Sequence, residues 1–102
     1  MLITRMIQAP RPSTMAMLLR RMPPDCRKDI LGMKVDAVGL VQTDLPNLFY
    51  LADVGVKAGS VSAVELHGTC PQHINTIGFF GDTAAVQSAM KAVKAQAKAS
   101  EK

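Results

Sequence analysis

Aromatic side chains are nearly absent from this chain. Of its 102 residues three are Phe (Phe49, Phe79, Phe80), one is Tyr (Tyr50) and none is Trp. Any core must therefore be built largely from aliphatic side chains and from the seven Met. Cysteine is scarce too. Cys26 and Cys70 are the two present, too few for a disulfide framework. No apolar run is long enough to span a membrane, and the longest near the start is Met15-Ala16-Met17-Leu18-Leu19. Residues 1–7 are interrupted by Arg5 and carry no signal-peptide core. Reduced thiols, a cytoplasmic location and no membrane contact are the expectation.

What is present suits one globular domain over residues 1–102, with 48% apolar and 20% charged residues. A domain this small has a thin margin of stability, and association with other copies is a common remedy. The net charge of +4 is concentrated at the two ends. Arg5, Arg11, Arg20 and Arg21 lie early, and Lys91, Lys94, Lys98 and Lys102 late. The late lysines are spaced as on a helix, where cations suit the negative end of the dipole. No aromatic platforms interleave with them, so nucleic acid is not an expected partner.

Hydrophobic patterning gives seven elements. Residues 2–7 read as a strand that Pro10-Arg11-Pro12 stops. Ser13 or Thr14 is placed to cap a helix running to about Met22, where Pro23-Pro24 ends it. Residues 23–34 are the least regular, with Asp25 able to cap one turn that closes at Gly32. Cys26 falls in this connector and has no evident role. Residues 35–42 form a strand whose Ala37 and Gly39 mark a close packing contact. Asp44 caps the next helix, with Pro46 in its first turn. Leu48, Leu51, Ala52 and Val56 form that helix's inner face, and Gly59 follows its end. Residues 61–67 and 74–80 are strands joined by a loop. Val61, Ala63, Val64 and Leu66 are the inward residues of the first of these. Asp82 caps a last helix that buries Val86, Ala89, Met90 and Val93. The tail, 95–102, is expected to fray.

From residue 35 onward the order is β-α-β-β-α, one strand short of a ferredoxin-like βαββαβ unit. The strand at 2–7 can supply the missing one if the chain is circularly permuted, since domain termini often lie close together. The fold class is thus α/β (α+β): an antiparallel sheet with helices, its last strand and helix moved to the N-terminus.

Four stretches carry a family resemblance. Asp36-Ala-Val-Gly-Leu-Val-Gln-Thr43 resembles the first strand of the bacterial microcompartment (BMC) shell domain. Leu51-Ala-Asp-Val-Gly-Val-Lys-Ala-Gly-Ser-Val61 resembles its first helix and following turn. Gly81-Asp-Thr-Ala-Ala-Val86 is similar to the start of its second helix, and Ile7-Gln-Ala-Pro-Arg-Pro12 to its last strand and Pro-Arg-Pro turn. The last of these comes first here, as in permuted shell proteins. The resemblance implies a structural shell subunit and not an enzyme. It implies a homohexamer that tiles with other shell proteins in the compartment shell, with encapsulated enzymes as further partners. It also implies that Lys57 and Arg11 lie at the hexamer edge.

The same resemblance makes Gly68, Thr69, Cys70, Pro71, Gln72 and His73 the lining of a central pore. The loop is unlike the family's usual Gly-Ser-Gly type. It is similar to that of a divergent branch from glycyl-radical-type microcompartments, whose pore holds an iron–sulfur cluster. A cluster needs about four thiolates, which one copy of this chain cannot supply in one place. A ring of chains can, with Cys70 repeated about its axis. The implied cofactor is therefore an iron–sulfur cluster, with Cys70 as the metal ligand. His73 is expected to line the pore, and His67 to be a surface residue at a strand end. Alternatives remain. One is an open pore in which Thr69, Gln72 and His73 offer hydrogen bonds to a polar solute. Another is a ferredoxin-like regulatory or binding module. Cys70 and His73 are three apart, but no oxyanion-hole helix start or third orienting group accompanies them, which argues against a Cys–His enzyme.

Overall fold

The computed structural model describes residues 2–68 and 74–100. Its elements run β1 (Ile3–Gln8), α1 (Pro12–Leu19), α2 (Pro24–Leu31), β2 (Ala37–Asp44), α3 (Leu45–Ala58), β3 (Ser62–Leu66), β4 (Ile74–Gly81) and α4 (Thr83–Ser100). The four strands form one sheet in the order β1-β2-β4-β3, and every neighbouring pair is antiparallel. Counted from β2, this is the ferredoxin-like order, with β1 in the outer place that a fourth strand would take.

Local chemistry sets the element ends. At α3, one Asp44 carboxylate oxygen accepts the Asn47 backbone N–H at 3.1 Å and the other accepts its side-chain amide at 2.9 Å. At α4, Asp82 accepts the Ala85 N–H at 2.7 Å. Both caps are those the sequence predicts. The start of α1 differs. Arg11 is its N-cap, with no side-chain bond, because Pro12 at the first helical position fixes the entry one residue before Ser13. The connector also differs: it is a full helix, α2, closed by Gly32, not a single turn. Arg27 on α2 donates from Nε to the Leu19 carbonyl at 3.0 Å and from Nη2 to that of Met22 at 3.3 Å. It thereby ties α2 to carbonyls at the end of α1 and in the turn that follows it. The last helix runs through Ser100.

Each face of the sheet has its own core. On the first face α3 and α4 bury Val41, Leu48, Leu51, Ile77, Phe79, Val86, Ala89 and Val93. Such side chains contribute about 1.5–3 kcal/mol each when fully buried. Two glycines fit this core. A Cβ at Gly39 would lie 2.5 Å from the Met90 sulfur, and one at Gly55 would overlap the Phe79 ring. Gly55 takes an inward place, so Val56 points outward and is 42% exposed, not buried as the sequence suggests. On the second face α1 and α2 cover Val38, Val64, Leu66 and Phe80 with Met22 and Ile30. Val61 packs instead on the first core, and Ala63 is exposed.

The turn after β1 is tight. Ala9 has φ 48°, in the left-handed region, which costs a residue with a Cβ about 1–2 kcal/mol. Its N–H donates to the Asp36 carbonyl at 2.8 Å, tying this turn to the start of β2.

Candidate functional site

The candidate residues fall at opposite ends of the sheet. The 68–73 loop joins β3 to β4. Those strands are paired up to Leu66 and Thr76, and β2 is paired with β4 up to Asp44 and Ile74. Gly68 is exposed at the stem of the loop. Thr69, Cys70, Pro71, Gln72 and His73 lie outside the described residues. His67 is exposed just after β3, as expected of a strand-end residue.

Arg11 and Lys57 lie at the far end. Arg11 follows the stretch where Gln8 pairs with Ala37 and Ala37 with Gly81. Lys57 is in the last turn of α3, shortly before β3 begins. Its ammonium meets the Asp53 carboxylate at 2.6 Å, and both side chains are largely exposed. The hydrogen bond to Asp53, helped by its charge, raises the Lys57 pKa above its usual value. Arg11 is exposed. Backbone order thus separates Arg11 and Lys57 from the loop by the length of the sheet.

The stem of the loop has a brace that sequence reasoning missed. The His67 N–H donates to the Arg21 carbonyl at 2.6 Å, and Arg21 Nη1 donates back to the His67 carbonyl at 3.4 Å. The end of α1 is thereby fastened to the end of β3. A cavity of about 310 Å³ opens beside this brace, lined by Leu18, Arg21, Leu40, Gln42, Leu66, His67, Gly68, Asn75 and Thr76. The signal in the sequence is the Arg20-Arg21 pair before Pro23-Pro24, but nothing local joins it to residue 67.

Among the described residues no group of three or more His, Cys, Asp or Glu is placed to hold a metal ion. Cys26 is a free thiol, half-buried against the second core. A metal cluster would therefore depend on Cys70, at one thiol per chain. That donor set fits an iron–sulfur cluster only when several chains share it.

The strand order and the helices packed on the sheet define a ferredoxin-like α+β domain with its hairpin loop at one end. The BMC domain family model matches residues 37–102, from β2 to the end of the chain. The chain belongs to the BMC domain family. It is similar to a ligand-free GrpU microcompartment shell protein from Pectobacterium wasabiae, with 35% identity and a TM-score of 0.74 over 90% of this chain and 99% of that one. It is also similar to a ligand-free GrpU shell protein from Clostridiales bacterium 1_7_47FAA, with 29% identity and a TM-score of 0.63 over 90% and 87% of the two chains. The fused permuted hexameric shell protein MSM0275 of the RMM microcompartment shares the fold, with a TM-score of 0.65 at 18% identity over 88% and 42%. Among curated proteins no relative matches.

Proposed function

We propose that this chain is a structural subunit of a bacterial microcompartment shell, located in that shell in the bacterial cytoplasm. It is a circularly permuted member of its family, forms cyclic homohexamers and tiles with other shell proteins. Residues 68–73 surround the sixfold axis, and Lys57 and Arg11 lie at the hexamer edge. The observation that carries this reading is the 35% identity to a GrpU shell protein along 99% of that protein's length. The separation of the loop from Lys57 and Arg11 along the sheet supports it, since an axis and an edge must be at opposite ends of a subunit.

In such a ring six copies of Cys70 would face one opening. About four would hold an iron–sulfur cluster, which cannot obey sixfold symmetry, so the others stay outside the ligand set. When bound, a cluster supplies one-electron transfer across the shell, or closes the pore.

The test is an anaerobic purification with added iron, reading mass by light scattering and the visible spectrum on one chromatographic peak. A brown hexamer that is colourless as Cys70→Ser is the expected result. A colourless wild-type hexamer would refute the cluster and favour a pore in which Thr69, Gln72 and His73 meet a polar solute. A monomer would refute the shell reading.

A further inference from the structure

The cavity beside the Arg21–His67 brace has a structural origin. β3 is last paired with β4 at Leu66 and Thr76, and the next N–H, that of His67, donates to the end of α1 instead. β4 goes on beside β2, which it pairs with through Asn75 and Ile74. The space between these two paths is the cavity of about 310 Å³, with Gly68 on its rim. Small-molecule sites span about 300–1,000 Å³, so it suits a small occupant. Leu18, Leu40 and Leu66 make part of its wall apolar. Gln42 and Thr76 add polar groups, and both are half-buried. Gln42 Nε2 donates to Thr76 Oγ1 at 3.1 Å, so the Thr76 hydroxyl keeps its own proton for a further partner.

No carboxylate lines this cavity. Arg21 lines it and also, with Arg20 and Met17, a second hollow of about 380 Å³, again without a carboxylate. Among the described residues the one ion pair is Lys57 with Asp53, at the far end of the sheet, so Arg20 and Arg21 keep their charge uncompensated. Arg21 is also held in place. Its carbonyl accepts the His67 N–H at 2.6 Å, and the next residue, Met22, is buried in the second core with its carbonyl bonded to Arg27. The guanidinium spends one N–H on the His67 carbonyl and has others to give. A planar fork of donors matches a carboxylate or a phosphate. A side chain that starts from a fixed backbone loses less freedom when it binds one.

We infer that this cavity binds a small organic anion, a carboxylate or phosphate ester with a short apolar body. Arg21 holds the charged end, Thr76 donates a hydrogen bond, and Leu18, Leu40 and Leu66 pack on the body. The site is complete in one chain. Only its repetition about an axis rests on the ring proposed above. In that ring six copies set positive charge at the foot of every loop, which raises the local concentration of anions there.

The test places a reporter thiol at the exposed rim, Gly68→Cys, in a Cys26→Ser/Cys70→Ser background, and reads mass by light scattering on the same sample. Alkylation by anionic iodoacetate is compared with alkylation by neutral iodoacetamide, and the ratio is divided by that for free cysteine. A unit positive charge about 7 Å away in water favours the anion about threefold, so a normalised ratio of about three is expected at low salt. It should fall to about one in Arg21→Gln, persist in Arg21→Lys and vanish in about 1 M salt. Inorganic phosphate or propionate should slow the iodoacetate reaction more than chloride does at equal ionic strength. Protection by phosphate alone assigns phosphate esters to the site, and by propionate alone carboxylates. Protection by neither, or a ratio that Arg21→Gln leaves unchanged, would overturn the site. Should Arg21→Gln fail to fold, the protection arm on the parent chain still decides. A monomer that keeps its protection would overturn the ring and leave the site standing, whereas a hexamer without protection would overturn the site alone.

Discussion

Replacing Gly55 by Ala sets two effects of known size against each other. Gly55 sits inside α3, where Ala is favoured over Gly by about 0.8–1 kcal/mol. On propensity alone the substitution should stabilise. Position 55, however, faces the first core, and a Cβ there would overlap the edge of the Phe79 ring. Phe79 is completely buried among Val41, Leu51, Ile77 and Val86, so the ring has little room to swing aside. Overpacking of this kind costs about 1–3 kcal/mol. The net expectation is a loss of about 1 kcal/mol, or a fall of roughly 5 °C in Tm for a domain of this size. Scanning calorimetry at one fixed protein concentration would measure it. Gly55→Ala in a Phe79→Leu background should recover the helix propensity gain and stabilise relative to Phe79→Leu alone. A rise in Tm from Gly55→Ala in the wild-type background would refute the argument, because it would mean that the ring yields freely.

Two further outcomes follow from the same contacts. Ile30 is the one buried residue of α2, so Ile30→Ala should cost about 2–5 kcal/mol, with hydrogen-exchange protection lost chiefly over α1 and α2 and kept in α4. Asp44 accepts the Asn47 N–H and amide, which hold its carboxyl below the ordinary 3.8. Between the folded and unfolded pKa values the unfolded chain binds more protons. The stabilisation is therefore present above about pH 4 and is lost as pH falls through the folded value. Thermal melts of Asp44→Asn should show a shallower acid limb, and an unchanged one would count against the cap.

Much of the first face is legible in the sequence because its signals are local. Asp44 and Asp82 stand directly before apolar stripes at helical spacing, and both cap the helices that follow. Small Gly39 implies a close neighbour, and Met90 is that neighbour. The misses come from contacts that periodicity does not encode. Val56 has helical spacing, yet Phe79 demands the small Gly55 inward and turns Val56 out. The α2 segment is polar, and its helix is evident only from Pro24, Asp25 and Gly32 and from Ile30 reaching the core. The Arg21–His67 brace joins residues 46 apart in the chain, so no window of sequence contains it. The roles proposed for Lys57, Arg11 and Cys70 rest on likeness to a family, since an edge, an axis and a shared ligand set are properties of an assembly.

The two faces differ in what a single chain can complete. The first is packed by α3 and α4 around Phe79. The second leaves Ile3 exposed and Leu40 half-buried beside a trough, so an isolated chain forgoes part of its possible burial. If ring formation fills that trough, folding and association are linked, and apparent stability depends on concentration. For a hexamer that dissociates as it unfolds, each tenfold dilution should lower stability per subunit by about 1 kcal/mol, equivalent to roughly 4–8 °C in Tm. Melts over a hundredfold range of concentration, with mass measured at each point, would read this directly. A Tm that ignores dilution while the sample remains hexameric would show that the ring forms without adding to the fold, and the open half of the second face would then need another occupant.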